Sequence, residues 1–504
     1  MAKNYLMRLV AFLMLLMMVS SMELQWKQVH KLLPPEERIR IFGTHDKNKI
    51  PKYDVIHINW SKHQKRSING IIPLSFSVFN KDIDLSLELL SPLVGPNTPV
   101  YYFRTSSEGI NYTIDYPFAD YSTEIYRDEN HLASLSVNEE PNGEKHIETG
   151  VIRALNLTIH RIPSRFLTER RSYFTTTGNG YYIAQHMNDL EGTFSDPMFN
   201  NLIPDSFNPF VPRPNVVYPE ILPLVDYSLK RNFMTNDHLL TYVLNFWSQV
   251  DMLFQNLRDP EYKLSIAGVV VAEDMTAFDF INDNSINIDA DNEKLHFEGA
   301  LSEVEEWLYD YQDIIPMDSY DVAMIQTLKK STKTSVKITN KSNIITSEVG
   351  LAEFRGACYI NHVDHVVKKA GIINDDGKYR GVLVAAHELG HTLGADHDRP
   401  ECGGDDAGFL MSGVTRSPTS NQYKWSQCSV KDFALFLMTS PQCLYNVPEQ
   451  YKDLEPNSSS DDEKVPDDAQ SVDYQIFDIR SVLPENNNWK VIGNPFIILD
   501  KHHN

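Results

Sequence analysis

The chain has 504 residues, of which 42% are hydrophobic and 11% aromatic, so it is neither wholly disordered nor collagen-like. At roughly 100–200 residues per domain, this length predicts two or three folded units. There are 68 Asp and Glu residues against 46 Lys and Arg, a net charge of −22. Such a chain repels phosphate backbones, which excludes nucleic acid as an expected partner.

The N-terminus has the pattern of a secretory signal peptide over residues 1–21. Lys3 and Arg8 precede an apolar run at residues 9–19, and small residues follow as far as Ser21. A membrane anchor would need about 20 apolar residues, and no later run reaches that length. We therefore expect a secreted, extracellular protein without a membrane span. Asn-x-Ser/Thr sequons then become candidate glycosylation sites, at Asn59, Asn111, Asn156, Asn340 and Asn457.

The region after the signal, residues 22–215, is free of cysteine and rich in short β-like runs. Residues 71–79 and 151–162 are candidate strands. Closely spaced prolines follow, at Pro204, Pro209, Pro212, Pro214 and Pro219. Because prolines punctuate regular structure, we place a domain boundary near residue 215.

The next region, residues 216–446, alternates between strand and helix patterns. Strands are predicted at 221–227, 264–272, 321–328 and 350–358, and helices at 236–257, 301–311, 381–393 and 430–438. Pro223 suggests that the first of these strands lies at a sheet edge. This order predicts an α/β domain with a mixed sheet. Residues 447–504 form an acidic linker and a short C-terminal tail.

Residues 387–398 read HELGHTLGADHD and contain the candidate metal-binding and catalytic residues of the chain. His387 and His391 are four residues apart, so on a helix both imidazoles face one metal. Gly394 allows the helix to stop and turn, which returns His397 as a third ligand. Three histidines leave the fourth tetrahedral position of zinc for water, the arrangement of catalytic sites. Glu388 can take a proton from that water and pass it to the leaving amine.

Two alternatives compete with a catalytic zinc site. The histidines could be incidental on a helix, but the joint spacing of three His, one Glu, one Gly and one Asp is very specific. A structural zinc site usually closes with four protein ligands, often cysteines, and none is offered here.

At this motif the sequence resembles the metzincin zinc proteases, and Asp398 after the third His is similar to the adamalysin (reprolysin) branch. The resemblance covers roughly residues 219–446. It implies a metzincin domain with a mixed twisted sheet and an active-site helix. Met411 is implied as the Met-turn residue beneath the zinc, and residues 22–215 as a β-rich propeptide. The strand from Gly350 through Leu351, Ala352, Glu353 and Phe354 is implied as the edge that pairs with substrate.

The same resemblance implies disulfides Cys358–Cys443 and Cys402–Cys428, although four cysteines by themselves allow three pairings. It also places Glu220, Asp321, Asn446 and the Cys443 carbonyl where relatives hold calcium. Hard oxygen ligands suit Ca²⁺. The alternative is that these are ordinary surface polar residues.

These patterns together predict a secreted, monomeric zinc endopeptidase that is made as a zymogen and acts on proteins or peptides. The layout is similar to that of arthropod venom and salivary metalloproteases. The rival hypothesis is a catalytically inactive binding protein or toxin on a protease scaffold, though such proteins usually lose a zinc ligand or the Glu. Residues 1–357 contain no cysteine, so a propeptide thiolate cannot silence the zinc. Latency must then come from a carboxylate or imidazole ligand or from filling of the cleft, unless the propeptide is only a chaperone.

Overall fold

The computed structural model describes residues 28–163, 180–187, 193–198, 214–331, 348–452, 474–478 and 496–500. Within these ranges it leaves out residues 66, 68, 69, 91, 92, 121, 141, 142, 195, 290, 291, 415–418 and 440. The predicted signal peptide, Asn340, Asn457 and most of the acidic linker lie outside the described residues. No helix in the described part is both long enough and apolar enough to cross a bilayer.

The α-helices of the described chain are named here in order. They are α1 Pro35–Phe42, α2 Trp60–Gln64, α3 Tyr227–Lys230, α4 Asn236–Phe254, α5 Asp279–Asn282, α6 Phe297–Asp310, α7 Val382–Thr392, α8 Gly404–Ala407 and α9 Gln427–Leu437. Short 3₁₀ helices occur at Val29–Lys31, Pro117–Asp120, Glu129–His131, Arg153–Leu155, Pro400–Cys402, Gln442–Tyr445 and Glu449–Tyr451.

The strands before residue 214 are β1 Tyr53–Ile58, β2 Ile72–Val78, β3 Lys81–Leu89, β4 Val100–Ser106, β5 Gly109–Asp115, β6 Glu124–Asp128, β7 Ala133–Glu139, β8 Lys145–Ile152, β9 Leu157–Arg161 and β10 Gly180–His186. Those that follow are β11 Val216–Val217, β12 Glu220–Val225, β13 Glu261–Tyr262, β14 Ser265–Ile266, β15 Val269–Ala272, β16 Ser285–Asp289, β17 Asn292–Leu295, β18 Val322–Thr327, β19 Lys330–Ser331, β20 Gly350–Ala352, β21 Ile360–Asn361, β22 Val366–Val367, β23 Ala370–Asn374, β24 Tyr474–Asp478 and β25 Phe496–Asp500.

The N-terminal region folds as an antiparallel sheet in the order β1-β10-β9-β8-β7-β6-β3-β2. Strand β2 shows why it forms, since its residues alternate strictly between buried and exposed positions. This alternation presents one apolar face to a core that contains Trp60, Leu74 and Leu135. The region is thus β-rich, as the sequence predicts.

A mixed sheet in the order β20-β23-β18-β12-β15-β4-β5 organises the rest of the chain. Strands β23, β18, β12, β15 and β4 run parallel to one another, and β20 and β5 close the two ends antiparallel. Helices α4, α7 and α9 pack on one face, and α6 packs on the other. Both faces are therefore covered, which explains why strands such as β18 are buried at every residue.

The interpretation of Pro223 as a sign of an edge strand is wrong, because β12 lies in the middle of this sheet. Pro223 pairs with Met324 of β18 on one side. On the other side the partner strand is interrupted between β14 and β15, at Ala267 and Gly268. A proline has no N–H to donate, and the interruption falls where a regular ladder would require one.

The hairpin β4–β5 belongs to this mixed sheet although its residues lie in the predicted propeptide. Val100–Phe103 pair in parallel with Val269–Ala272. Buried Val100 and Tyr102 join the same core as Trp247 of α4. The boundary predicted near residue 215 therefore does not separate two independent sheets, because the mixed sheet contains strands from both sides of it.

Candidate active site

Helix α7 carries the first two histidines of the motif in a fully buried setting. His387, Glu388 and His391 are each 0% exposed. One helical turn separates the two histidines, so their rings lie on the same side, with centroids 4.7 Å apart. The helix ends at Thr392, and Gly394 follows with a φ of +104°, a conformation that side chains disfavour. Ala395 N then donates to Gly390 O at 2.9 Å, and the chain reverses toward His397.

Three imidazoles converge after this turn. One nitrogen from each of His387, His391 and His397 lies within 4.8 Å of the other two. His387 Nε2 and His397 Nε2 are 3.2 Å apart. The spacing predicted from sequence thus brings all three rings to one point.

Hydrogen bonds fix how the two helical histidines are oriented. His387 Nδ1 lies 2.7 Å from Leu410 O, and His391 Nδ1 lies 2.8 Å from Ala395 O. Because a carbonyl only accepts, each Nδ1 donates, and in the neutral ring each Nε2 keeps a lone pair for a metal. Burial lowers the pKa of His391 to about 3 and that of His387 well below its usual range. Both rings are therefore held in the neutral form that binds metal.

Glu388 points a carboxylate into the same buried space. Neither of its oxygens has a hydrogen-bond partner in the described part of the chain, and His391 Nε2 also lacks one. Burial and, to a lesser extent, nearby Glu348 raise the pKa of Glu388 well above its usual range. Buried polar atoms are normally paired, so three unpaired atoms at one point indicate a missing ligand. Three imidazoles with a neighbouring carboxylate fit a zinc ion that has one open position.

The predicted Met-turn lies directly beneath the helix. Met411 is fully buried, and a Cβ added at Gly390 of α7 would stand 2.8 Å from its sulfur. Met411 O accepts from Asp398 N at 2.8 Å, while the preceding residue supplies the carbonyl that orients His387. Asp398 in turn accepts from Ser426, the N-cap of α9. The turn therefore connects two of the three histidines to the rest of the domain.

The predicted substrate strand is shorter than expected. Strand β20 contains only Gly350, Leu351 and Ala352 and pairs antiparallel with β23. Phe354 lies in a turn, and Arg355 and Cys358 have left-handed backbone angles, which ends the strand early.

Glu353 points into the protein and away from the cleft. It is 0% exposed and lies close to Glu305 of α6, whose pKa rises to about 9 because of burial and the Glu353 carboxyl. Two carboxyls that close cannot both ionise readily, so they share a proton. Lys368 donates to Glu305 and balances the remaining charge.

The predicted calcium residues meet beside a disulfide. Glu220 N donates to Asp321 Oδ2 at 2.8 Å, Asn446 donates its amide to Glu220, and a carboxylate oxygen of Asp321 lies near the Cys358 and Cys443 sulfurs. Burial, and Glu220 beside it, raise the pKa of Asp321 well above its usual range. Lys369 is buried nearby and donates to Tyr320 O at 2.5 Å. An ammonium group is thus also available to balance these carboxylates.

The structure contains the disulfides Cys358–Cys443 and Cys402–Cys428, the pairing that the resemblance implies. The first joins the end of the substrate strand to the C-terminal part of the domain. The second ties the chain after His397 to α9. Of the described sequons, Asn111 is exposed, whereas Asn59 and Asn156 are half-buried.

Sequence reasoning missed the residues that stand against the imidazoles. The ring of Phe194 stacks on His387 with centroids 3.6 Å apart and planes 8° apart. Asp196 Oδ1 lies 3.6 Å from His397 Nδ1. Glu348, which is 4% exposed and acts on the pKa of Glu388, was missed as well. None of these residues belongs to a motif, and only the absence of cysteine from the predicted propeptide indicated that another kind of group would have to cover the site.

Comparisons with known proteins agree with this geometry. Residues 288–448 match the family described as "Reprolysin (M12B) family zinc metalloprotease". A Bombyx mori protein named "A disintegrin and metalloproteinase with thrombospondin motifs like" is 32% identical over 47% of this chain and 34% of its own length. Venom metalloproteinases of Eulophus pennicornis also match. "Venom metalloproteinase 3" is 26% identical over 51% of this chain and 58% of its own, and "Venom metalloproteinase 1" is 23% identical over 64% and 70%.

The chain spans only about a third and somewhat over half of the first two of these relatives, so the likeness concerns the shared domain. Within it, the family match covers the whole HELGHTLGADHD motif, both disulfides and β18 to α9. Residues 288–448 of this chain therefore match a zinc metalloprotease domain of the reprolysin (M12B) family.

Proposed function

We propose that this protein is a secreted zinc endopeptidase, made as a zymogen, that hydrolyses peptide bonds in proteins. One observation carries the proposal: His387, His391 and His397 converge beside the unpaired, buried carboxylate of Glu388. Zinc held there would supply Lewis acidity that makes water a nucleophile near neutral pH. In this proposal the three histidines hold the metal, and the Met411 turn orients the ring of His387 and bonds to the backbone of Asp398, next to His397.

Glu388 acts as general base and then as general acid. Burial raises its pKa, which suits both roles, because a carboxyl that holds a proton more readily than usual can take one up and give it back. The outer edge of β20, at the end of the mixed sheet, would align an extended peptide through backbone hydrogen bonds. Secretion follows from the N-terminal pattern, and glycosylation is proposed first at exposed Asn111.

The test of the proposed function is Glu388→Ala in the processed protein. Zinc content should stay at one ion per chain, because the histidines are intact. Casein cleavage should fall by roughly a thousandfold or more, because a general base and acid is lost. Glu401→Ala is a matched control, since that carboxylate is 66% exposed and lies outside the cluster. If Glu388→Ala cleaves casein at a near-normal rate, the assignment of Glu388 is wrong. If neither the parent protein nor Glu401→Ala cleaves casein, the result supports the alternative of a catalytically inactive scaffold.

We further propose a structural calcium ion at Glu220, Asp321, Asn446 and the Cys443 carbonyl. Two hydrogen bonds that join these residues support it, since Glu220 N donates to Asp321 Oδ2 and the Asn446 amide donates to the Glu220 carboxylate. Calcium should raise the melting temperature relative to EGTA, after zinc has been restored, because the ion would bind only the folded state. Asp321→Asn should abolish the shift. An unchanged melting temperature in the parent protein would instead favour Lys369 as the balancing cation.

A further inference from the structure

A segment of the predicted propeptide lies along the substrate strand. We call the described residues of 193–198, namely Thr193, Phe194, Asp196, Pro197 and Met198, the plug. We infer that the plug occupies the peptide-binding cleft and keeps the protease latent by covering the imidazole cluster, without supplying a metal ligand. This inference rests on the proposed function and specifies how the same site is regulated.

The backbone of the plug bonds to the groups that a substrate would use. At one end, Val349 N donates to Thr193 O at 3.1 Å. At the other end, Met198 N donates to Ala352 O at 3.0 Å, and Met198 O accepts from Phe354 N at 3.0 Å. The free edge of β20 is therefore paired at both ends, and an extended peptide cannot add to it while the plug is in place.

The plug is also held from the opposite side of the cleft. Phe194 N donates to Gly413 O at 3.0 Å, and Thr193 bridges Val414 in antiparallel register. Gly413 and Val414 directly follow the Met411 turn, so this wall is continuous with the floor of the site. A chain segment that is bonded to both walls fills the space between them.

Phe194 closes the space above the imidazoles. Its ring is parallel to that of His387 at a centroid distance of 3.6 Å, and it packs against the core around α7. An aromatic ring in this position excludes water and substrate carbonyls from that side of the cluster.

Asp196 does not take the place of a metal ligand. Its carboxylate faces Nδ1 of His397, whereas Nε2 of the same ring faces the cluster and lies 3.2 Å from His387 Nε2. The side chain of Asp196 is 93% exposed, which does not suit an anion bound in a buried metal site. Of the ways in which a cysteine-free propeptide could silence the site, the geometry favours filling of the cleft.

The test uses the full-length protein carrying Glu388→Ala, in which self-processing cannot occur. We would add Phe194→Ala and follow the transfer of zinc to the chromogenic chelator 4-(2-pyridylazo)resorcinol. Removing the ring should speed zinc transfer by about tenfold or more, because the cover over His387 is lost. Tyr116→Ala is the matched control, since that aromatic residue is 54% exposed and lies in the same region, and it should leave the rate unchanged.

A second variant keeps the test decisive if Phe194→Ala is not secreted or melts abnormally. Met198→Pro removes the N–H that donates to Ala352 and leaves the aromatic ring in place. In otherwise unaltered protein that retains Glu388, both variants should cleave a quenched fluorogenic peptide before processing. Zinc transfer within about twofold of the parent rate for both folded variants would overturn the inference. Absence of zinc from every protein would instead count against the proposed function.

Discussion

At the scale of single residues, the position of the Glu388 carboxylate depends on the glycine that begins β20. A Cβ added at Gly350 would lie 2.2 Å from Glu388 Oε1 and 2.7 Å from its Cδ. A Cβ atom does not come this close to a non-bonded atom unless one of the two moves. The Glu388 carboxylate can therefore occupy its observed position only because residue 350 has no side chain. The glycine that begins β20 therefore also shapes the candidate active site.

Gly350→Ala should reduce kcat by roughly tenfold to a hundredfold, because a displacement near 1 Å is costly for a positioned catalytic group. Zinc content should not change, since no histidine is touched. Steady-state kinetics on a fluorogenic peptide, with metal analysis, would measure both. Gly95→Ala is the control, as its nearest neighbours lie 3.8 Å or more from the added Cβ. A rise in KM alone would show that position 350 acts through substrate pairing and not through Glu388.

The convergence of the candidate metal ligands was predictable from sequence because their spacing is short and helical. His387, Glu388 and His391 need only one turn of helix to meet, and Gly394 signals the reversal that returns His397. Glu348 and Phe194 could not be found this way. They reach the site through strand pairing and a chain segment distant in sequence, and local pattern carries no information about such contacts.

At the scale of elements, helices were predicted more closely than strands. Helix α4 was expected at 236–257 and is observed at Asn236–Phe254, since apolar residues at helical spacing mark a long element clearly. The run at 264–272 was expected as one strand, but it divides into β14 and β15 where Gly268 approaches Pro99 O closely. Such breaks arise from neighbouring strands and so are not evident in the run itself.

The turn that ends α7 gives a prediction at this scale. Gly394→Ala would place a Cβ 2.5 Å from Phe436 Cβ on α9, at a φ of +104°. The strain should cost about 1–3 kcal/mol of stability and shift His397 away from the other two ligands. Zinc should then be lost at lower concentrations of a competing chelator, and the melting temperature should fall. Unchanged zinc retention would mean that α9 moves to accept the methyl group without disturbing His397.

At the scale of the whole molecule, the predicted propeptide and the protease domain share structure across a broad face. Strand β4 pairs with β15, and Arg127 forms an ion pair of 2.7 Å with Asp251 of α4, which is 3% exposed. Ser134 Oγ lies 2.7 Å from Ser248 Oγ, and Arg153 donates to Tyr379 O at 2.6 Å. The sequence marked a boundary through its prolines, but it could not show that the apolar cores on either side are continuous.

This shared face predicts that cutting the chain does not separate its two parts. A specific protease site inserted between Asn208 and Pro209 would be cleaved in the purified protein. The two fragments should still elute together in size-exclusion chromatography, because the β4–β15 pairing and the common core do not depend on the connection. Denaturing gels would confirm the cut, and urea should release the N-terminal fragment. The plug, which precedes the cut, should remain in the cleft, so the nicked protein should still release zinc slowly.

Arg127→Ala provides the means to weaken this association. It leaves Asp251 buried without its ion-pair partner, which costs about 3–5 kcal/mol for a pair of this kind. The nicked variant should then dissociate on dilution at concentrations where the nicked parent stays intact. Arg104→Ala serves as the control, since that exposed residue lies in β4 outside the ion pair.

Separation of the nicked parent without denaturant would show that the covalent connection holds the two parts together. In that case a single cut would release both the N-terminal region and the plug, and cleavage alone would activate the protease. If the nicked parent stays together, activation requires a further step that removes the plug from between β20 and Gly413.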